Sequence, residues 1–158
     1  MNFGKSAEGW EAKYLQALVD SSTEKALIVD LAPSYGQGLA ESLFGQRASQ
    51  ADQIAVASKL RIPNSTGESA NESLKQSLSR MRRDCVEFLS THWSGTEDEF
   101  LSDVDALLTA KQANLAQSIG LGNPSKRDLE RLKARGLAGE FDFVQSEYSL
   151  CDRSVMID

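Results

Sequence analysis

A chain of 158 residues, 41% hydrophobic and 25% charged, is sized and composed for one globular domain with a real core. Its net charge of −6 argues against nucleic acid as a partner, and Arg80, Arg82 and Arg83, followed by Asp84, read as a solvated helix end rather than a phosphate site. No apolar run approaches the ~20 residues that span a bilayer, Met1 to Lys5 lacks the parts of a signal peptide, and Cys85 and Cys151 fit neither a disulfide framework nor a metal cluster, so a cytoplasmic setting without a membrane partner is expected.

Trp10, Tyr14, Leu15, Leu18 and Val19 recur at helical spacing and predict an amphipathic helix over 7–20. The unbroken run Ala26-Leu27-Ile28-Val29 predicts a strand buried on both faces. A short helix follows over 39–46 and a second strand over 53–58, and Asn64-Ser65-Thr66-Gly67 reads as a loop. Ser69-x-x-Glu72 is a capping box opening a helix with Leu74, Leu78 and Met81 on its apolar side, before a third strand at 85–90. Thr96-x-x-Glu99 opens the next helix, with a strand at 116–121 after it. Ser125-x-x-Asp128 opens another, which Gly136 stops, and the last apolar run is 141–144. Met81, Met156 and the helical aromatics read as core. Strand starts fall roughly every 25–32 residues, the length of a βα unit, so a parallel α/β sheet is predicted. Barrels and doubly wound sheets share that signature, and periodicity leaves both open. No G-x-G-x-x-G dinucleotide motif follows a strand.

Each predicted strand ends on a polar residue: Asp30, Lys59, His92, Asn123 and Gln145, with Tyr35 shortly after Asp30. Residues just past strand ends in such a repeat face one rim, where ligands bind. Singly, Lys59 also fits a solvated strand end, Tyr35 a loop aromatic, and His92, the only histidine, a satisfied core residue. Five consecutive deliveries to one rim favour a site. A carboxylate, a phenol, an ammonium and an imidazole gathered there look like machinery for moving a proton. A phenol titrates near ~10 and needs help to release its proton. A nearby ammonium supplies that help, and a carboxylate holds the ammonium in place. Tyr35 is thus the expected general acid, Lys59 its support, Asp30 the partner of Lys59, and His92 the group that orients the substrate oxygen or relays the proton.

These segments resemble the aldo/keto reductase family. Asp30 to Leu43 is similar to its D-T-A-x-x-Y-G-x-G-x-x-E stretch, with Leu31 in place of Thr and Glu41 in register. Arg83-Asp84-Cys85-Val86-Glu87-Phe88-Leu89-Ser90-Thr91-His92-Trp93 resembles t-D-Y-V-D-L-y-x-x-H-W, and Ser73-Leu74-x-x-Ser77-Leu78-x-x-Met81 the helix before it. Ile119-Gly120-Leu121-Gly122-Asn123 resembles I-G-V-S-N with Gly122 at the Ser position, Gln145-Ser146-Glu147-Tyr148-Ser149-Leu150 resembles Q-v-E-Y-N-L, and Met1-Asn2-Phe3-Gly4 the tail of the first strand.

The resemblance implies a (β/α)8 TIM barrel. Residues 1–158 would form a single incomplete domain running from the end of strand one to about strand six, with strands seven and eight missing. The implied chemistry is NADP(H)-dependent reduction of a small-molecule aldehyde or ketone by the Asp30, Tyr35, Lys59 and His92 tetrad, with no metal. Asn123 and Gln145 would bind the nicotinamide carboxamide, with Asp30 near its ribose. Trp93 would line the substrate pocket or simply pack at the rim, and Gly122, lacking the hydroxyl, would weaken cofactor binding. An open barrel exposes two edge strands. Two alternatives therefore stand beside the reductase: a partial barrel completed by a second copy of the chain, and a non-catalytic remnant acting as a binding or structural module.

Overall fold

Among the described residues, five strands lie side by side in the order in which they occur in the chain, all parallel. They are β1 (Leu27–Asp30), β2 (Ile54–Lys59), β3 (Val86–Ser90), β4 (Ala116–Gly122) and β5 (Phe143–Gln145). The helices between them are α1 (Leu39–Arg47), α2 (Ala70–Met81), α3 (Glu97–Gln112) and α4 (Lys126–Ala134), and a 3-10 turn, Tyr35–Gly38, precedes α1. A doubly wound sheet reverses its strand order at a switch point. Here the order never reverses, and the fold is an α/β half-barrel. The computed structural model describes residues 27–48, 54–60, 69–93 and 96–151, with positions 13, 17, 20 and 153. Most of the helix read over 7–20, the first-strand tail at 1–4, the loop at 64–67 and Met156 lie outside the described residues.

The three capping boxes form as the sequence predicts. Ser69, Thr96 and Ser125 each accept a hydrogen bond from the backbone N–H three residues on, and the Glu72, Glu99 and Asp128 carboxylates each accept one from the cap residue's own N–H. Gly136, at φ +71°, follows α4, and the Leu137 N–H returns to the Leu132 carbonyl at 2.9 Å. The last strand starts two residues later than its apolar run. Asp142, inside that run, uses its carboxylate to accept from the Ile119 N–H at 2.9 Å and from Lys111 at 2.8 Å, so regular pairing begins only at Phe143.

The main core lies between the sheet and α1 to α3, where Ile54, Val56, Leu89 and Ile119 meet Phe44, Leu74, Met81 and Leu107. A smaller cluster of Phe100, Val104, Leu121 and Leu132 seats α4. On the barrel-facing side, Phe88 and Phe143 stack edge to face at 5.7 Å. Phe143 lies over Gly120, where a Cβ would come within 2.6 Å of its ring. β1 corrects one expectation: it is not buried on both faces. Among the described residues it is the outermost strand, paired with β2 alone, and Ile28 on its barrel side is 58% exposed. Among the described residues, no helix is long and apolar enough to cross a membrane.

Candidate active site

Partners in a parallel ladder share a face. Pairing of Asp30 with Ala57, and of Lys59 with Ser90, therefore places both charged groups on the barrel side. Lys59, at the end of β2, is only 8% exposed and forms an ion pair with Asp30 at the end of β1. Its ammonium also donates to the Leu31 carbonyl at 3.4 Å and lies 5.4 Å from the centroid of the Tyr35 ring. Tyr35 meets His92 edge to face, with centroids 6.1 Å apart. The second Asp30 oxygen accepts from Gln145 Nε2 at 3.1 Å. A continuous chain of contacts thus runs Gln145, Asp30, Lys59, Tyr35, His92.

Burial pushes the His92 imidazole below its usual range; the Lys59 ammonium adds to that effect and Asp30 opposes it. The imidazole is consequently neutral at pH 7. Asn123 sits beside the chain rather than in it. It has φ +49°, its N–H donates to the Gln145 carbonyl at 2.7 Å, and its Oδ1 accepts from the Glu147 N–H at 2.7 Å. Trp93 follows His92 at the rim and is 50% exposed, so it is not packed away.

Two features escaped the sequence reading. Thr91 joins the ends of β3 and β4: its Oγ1 accepts from the buried Gly122 N–H at 2.9 Å. A Cβ on Gly122 would lie 2.1 Å from the Thr91 carbonyl oxygen, so glycine is demanded by the close approach of two strands. The arginines are the second feature, and they correct the solvated-helix-end reading. Arg80 pairs with the fully buried Glu41 at 2.7 Å. Arg83 donates to the Ile54 carbonyl and pairs with Glu87, and only Arg82 stays exposed. The glutamate in register at position 41 was the available signal, since a buried carboxylate calls for a cation.

A parallel half-barrel that gathers a carboxylate, an ammonium, a phenol and an imidazole at one rim has the architecture of an α/β-barrel protein. The model of the aldo/keto reductase family matches residues 3–156, and the chain belongs to that family. It is 26% identical over 151 residues to the NADH-specific methylglyoxal reductase of Escherichia coli K12, covering 81% of this chain and 45% of that protein. It is 30% identical over 104 residues to the methylglyoxal reductase DkgB of Salmonella typhi, covering 65% and 37%. A Klebsiella pneumoniae aldo/keto reductase in complex with NADP and acetate shares the fold with a TM-score of 0.82, at 23% identity over 99% of this chain and 55% of that one. The chain spans about half the length of the curated relatives it matches.

Proposed function

We propose that this rim reduces a small aldehyde or ketone to the alcohol, using a nicotinamide dinucleotide of the NADP(H) type. The observation that carries the reading is the buried Lys59 ammonium, held by Asp30 on one side and facing the Tyr35 ring on the other. Tyr35 donates its phenolic proton to the carbonyl oxygen. The Lys59 charge stabilises the phenolate that remains, and Asp30 keeps that charge in place. His92, neutral and packed against Tyr35, offers an N–H to the same oxygen and fixes its direction.

The residues present suit a nicotinamide. Asn123 Oδ1 is taken by a backbone N–H and Gln145 Nε2 by a carboxylate, which fixes both amide orientations. That leaves the Asn123 amino group as a donor and Gln145 Oε1 as an acceptor, matched to a primary carboxamide. When bound, the cofactor supplies the hydride.

The test is an NADPH titration of the 158-residue chain followed by tryptophan fluorescence, then turnover with methylglyoxal, the substrate in the names of both relatives. Saturable quenching with Tyr35-dependent turnover supports the reading. A folded chain that neither binds NADPH nor NADH would refute it.

A second reading, completion of the barrel by another copy, is favoured by Ile28 and Val144, which are 58% and 56% exposed on the outermost of the described strands. Light scattering decides it: a monomeric mass at micromolar concentration removes it.

A further inference from the structure

The turn that carries Tyr35 is conformationally demanding. Gly36, Gln37 and Gly38 stand in succession at φ 59°, 56° and 88°. Glycine takes such values freely, whereas a residue such as Gln37 holds them only where the surroundings insist. Ser42 donates to the Gly38 carbonyl at 3.0 Å, and the Arg80 side chain runs directly beneath Gly38. A Cβ there would lie 2.8 Å from Arg80 Nε and 2.9 Å from Cδ.

Arg80 is fixed in turn from two sides. Its Nε donates to Glu41 Oε2 at 2.7 Å and its Nη2 to Ser77 Oγ at 3.0 Å. Glu41 is fully buried, and its other oxygen has no hydrogen-bond partner. Desolvating such a pair offsets most of its attraction, so a buried ion pair adds little net stability. What it does supply is geometry: a planar guanidinium anchored to α1 and α2 that closes the underside of the turn.

We infer that the Arg80–Glu41 pair is a positioning brace for Tyr35, holding the Tyr35–Gly38 turn so that the phenol meets Lys59 and His92. Neither residue touches the reacting atoms. The consequence for catalysis rests on the reductase reading above, whereas the consequence for geometry does not.

His92 is the only histidine in the chain, so its ring protons give an unambiguous NMR signal. Its edge-to-face contact with Tyr35 yields a ring-to-ring cross-peak in the cofactor-free protein. In Arg80→Gln, with the far-UV spectrum of the wild type, the cross-peak is lost, and Arg80→Lys restores part of it. If wild-type turnover exists, Arg80→Gln lowers kcat about tenfold while KM for NADPH stays within about twofold. An unchanged cross-peak in folded Arg80→Gln overturns the brace. Should that variant not fold, Glu41→Gln takes its place, because it removes the buried charge at constant volume. A cross-peak unchanged there overturns the brace equally. A lost cross-peak with no turnover even in wild type leaves the brace standing and removes the reductase reading.

Discussion

Lys59 and Asp30, at the ends of adjacent strands, form an ion pair of unequal exposure: the ammonium is 8% exposed and the carboxylate 42%. Asp30 is the carboxylate that holds the ammonium in place at that depth. Asp30→Asn should therefore act on the reaction through Lys59, lowering kcat about tenfold to a hundredfold. Lys59→Met should be more severe, since it removes the charge outright. Equal, small effects of the two variants on kcat would mean that the ammonium does not support the phenol.

Replacing Tyr35 by Phe keeps the ring contacts with Lys59 and His92 and deletes only the hydroxyl. Turnover should fall by roughly 10²–10⁴, the usual worth of a general acid, while the NADPH dissociation constant moves little. Steady-state kinetics with fluorescence titration reads both. Undiminished turnover would assign the acid elsewhere.

Because burial depresses the His92 pKa, its NMR titration should have a midpoint below the ordinary 6.5. The unfolded chain then binds the proton more readily than the native one. His92 therefore contributes stability fully above pH 6.5 and loses it as pH falls through the depressed value. A midpoint at or above 6.5 would contradict the burial and the proximity of Lys59.

Asp103 on α3 behaves in the opposite sense. It is 1% exposed, neither carboxylate oxygen has a hydrogen-bond partner, and burial, with Glu99 one turn earlier, pushes it up to about 7. The native state holds its proton where the unfolded state has released it, so its contribution is complete below pH 3.8 and disappears as pH rises through about 7. Asp103→Asn should accordingly raise Tm at pH 8, with the difference shrinking at pH 5. Calorimetry at the two pH values checks this, and a variant less stable at pH 8 would point to a partner for the carboxylate.

Gly122→Ser restores the side chain found at this place in the family pattern, yet its Cβ would meet the Thr91 carbonyl oxygen. The backbone must shift to admit it, which costs about 1–3 kcal/mol. Thermal unfolding should show the loss, and NADPH affinity should not improve. Tighter binding without loss of stability would show that β3 and β4 part easily at their ends.

Much of this was legible in the chain because the signals were local. The capping pairs Ser69/Glu72, Thr96/Glu99 and Ser125/Asp128 lie three residues apart, and strand ends announce themselves where an apolar run meets a polar group. Asp30, Lys59 and His92 could thus be assigned to one rim without coordinates. What stayed hidden depends on approach in space. Nothing within a few residues of Gly122 reveals the Thr91 carbonyl against it, and nothing near Arg80 reveals Glu41, 39 positions away. Periodicity alone left strand order open for the same reason, and the family resemblance implied the barrel order found here. A βα repeat fixes that neighbours are parallel, and only tertiary packing decides whether the winding reverses.

The hydrogen bond from Gln145 to Asp30 joins residues 115 positions apart. Contacts of that span close a long loop and form late, after nearby strands and helices have paired. The lysine pocket, built between β1 and β2, can therefore exist in a growing or refolding chain well before the carboxylate finds its amide. A chain in which β5 has not docked would hold the Lys59–Asp30 pair without the Gln145 amide that completes this side of the rim.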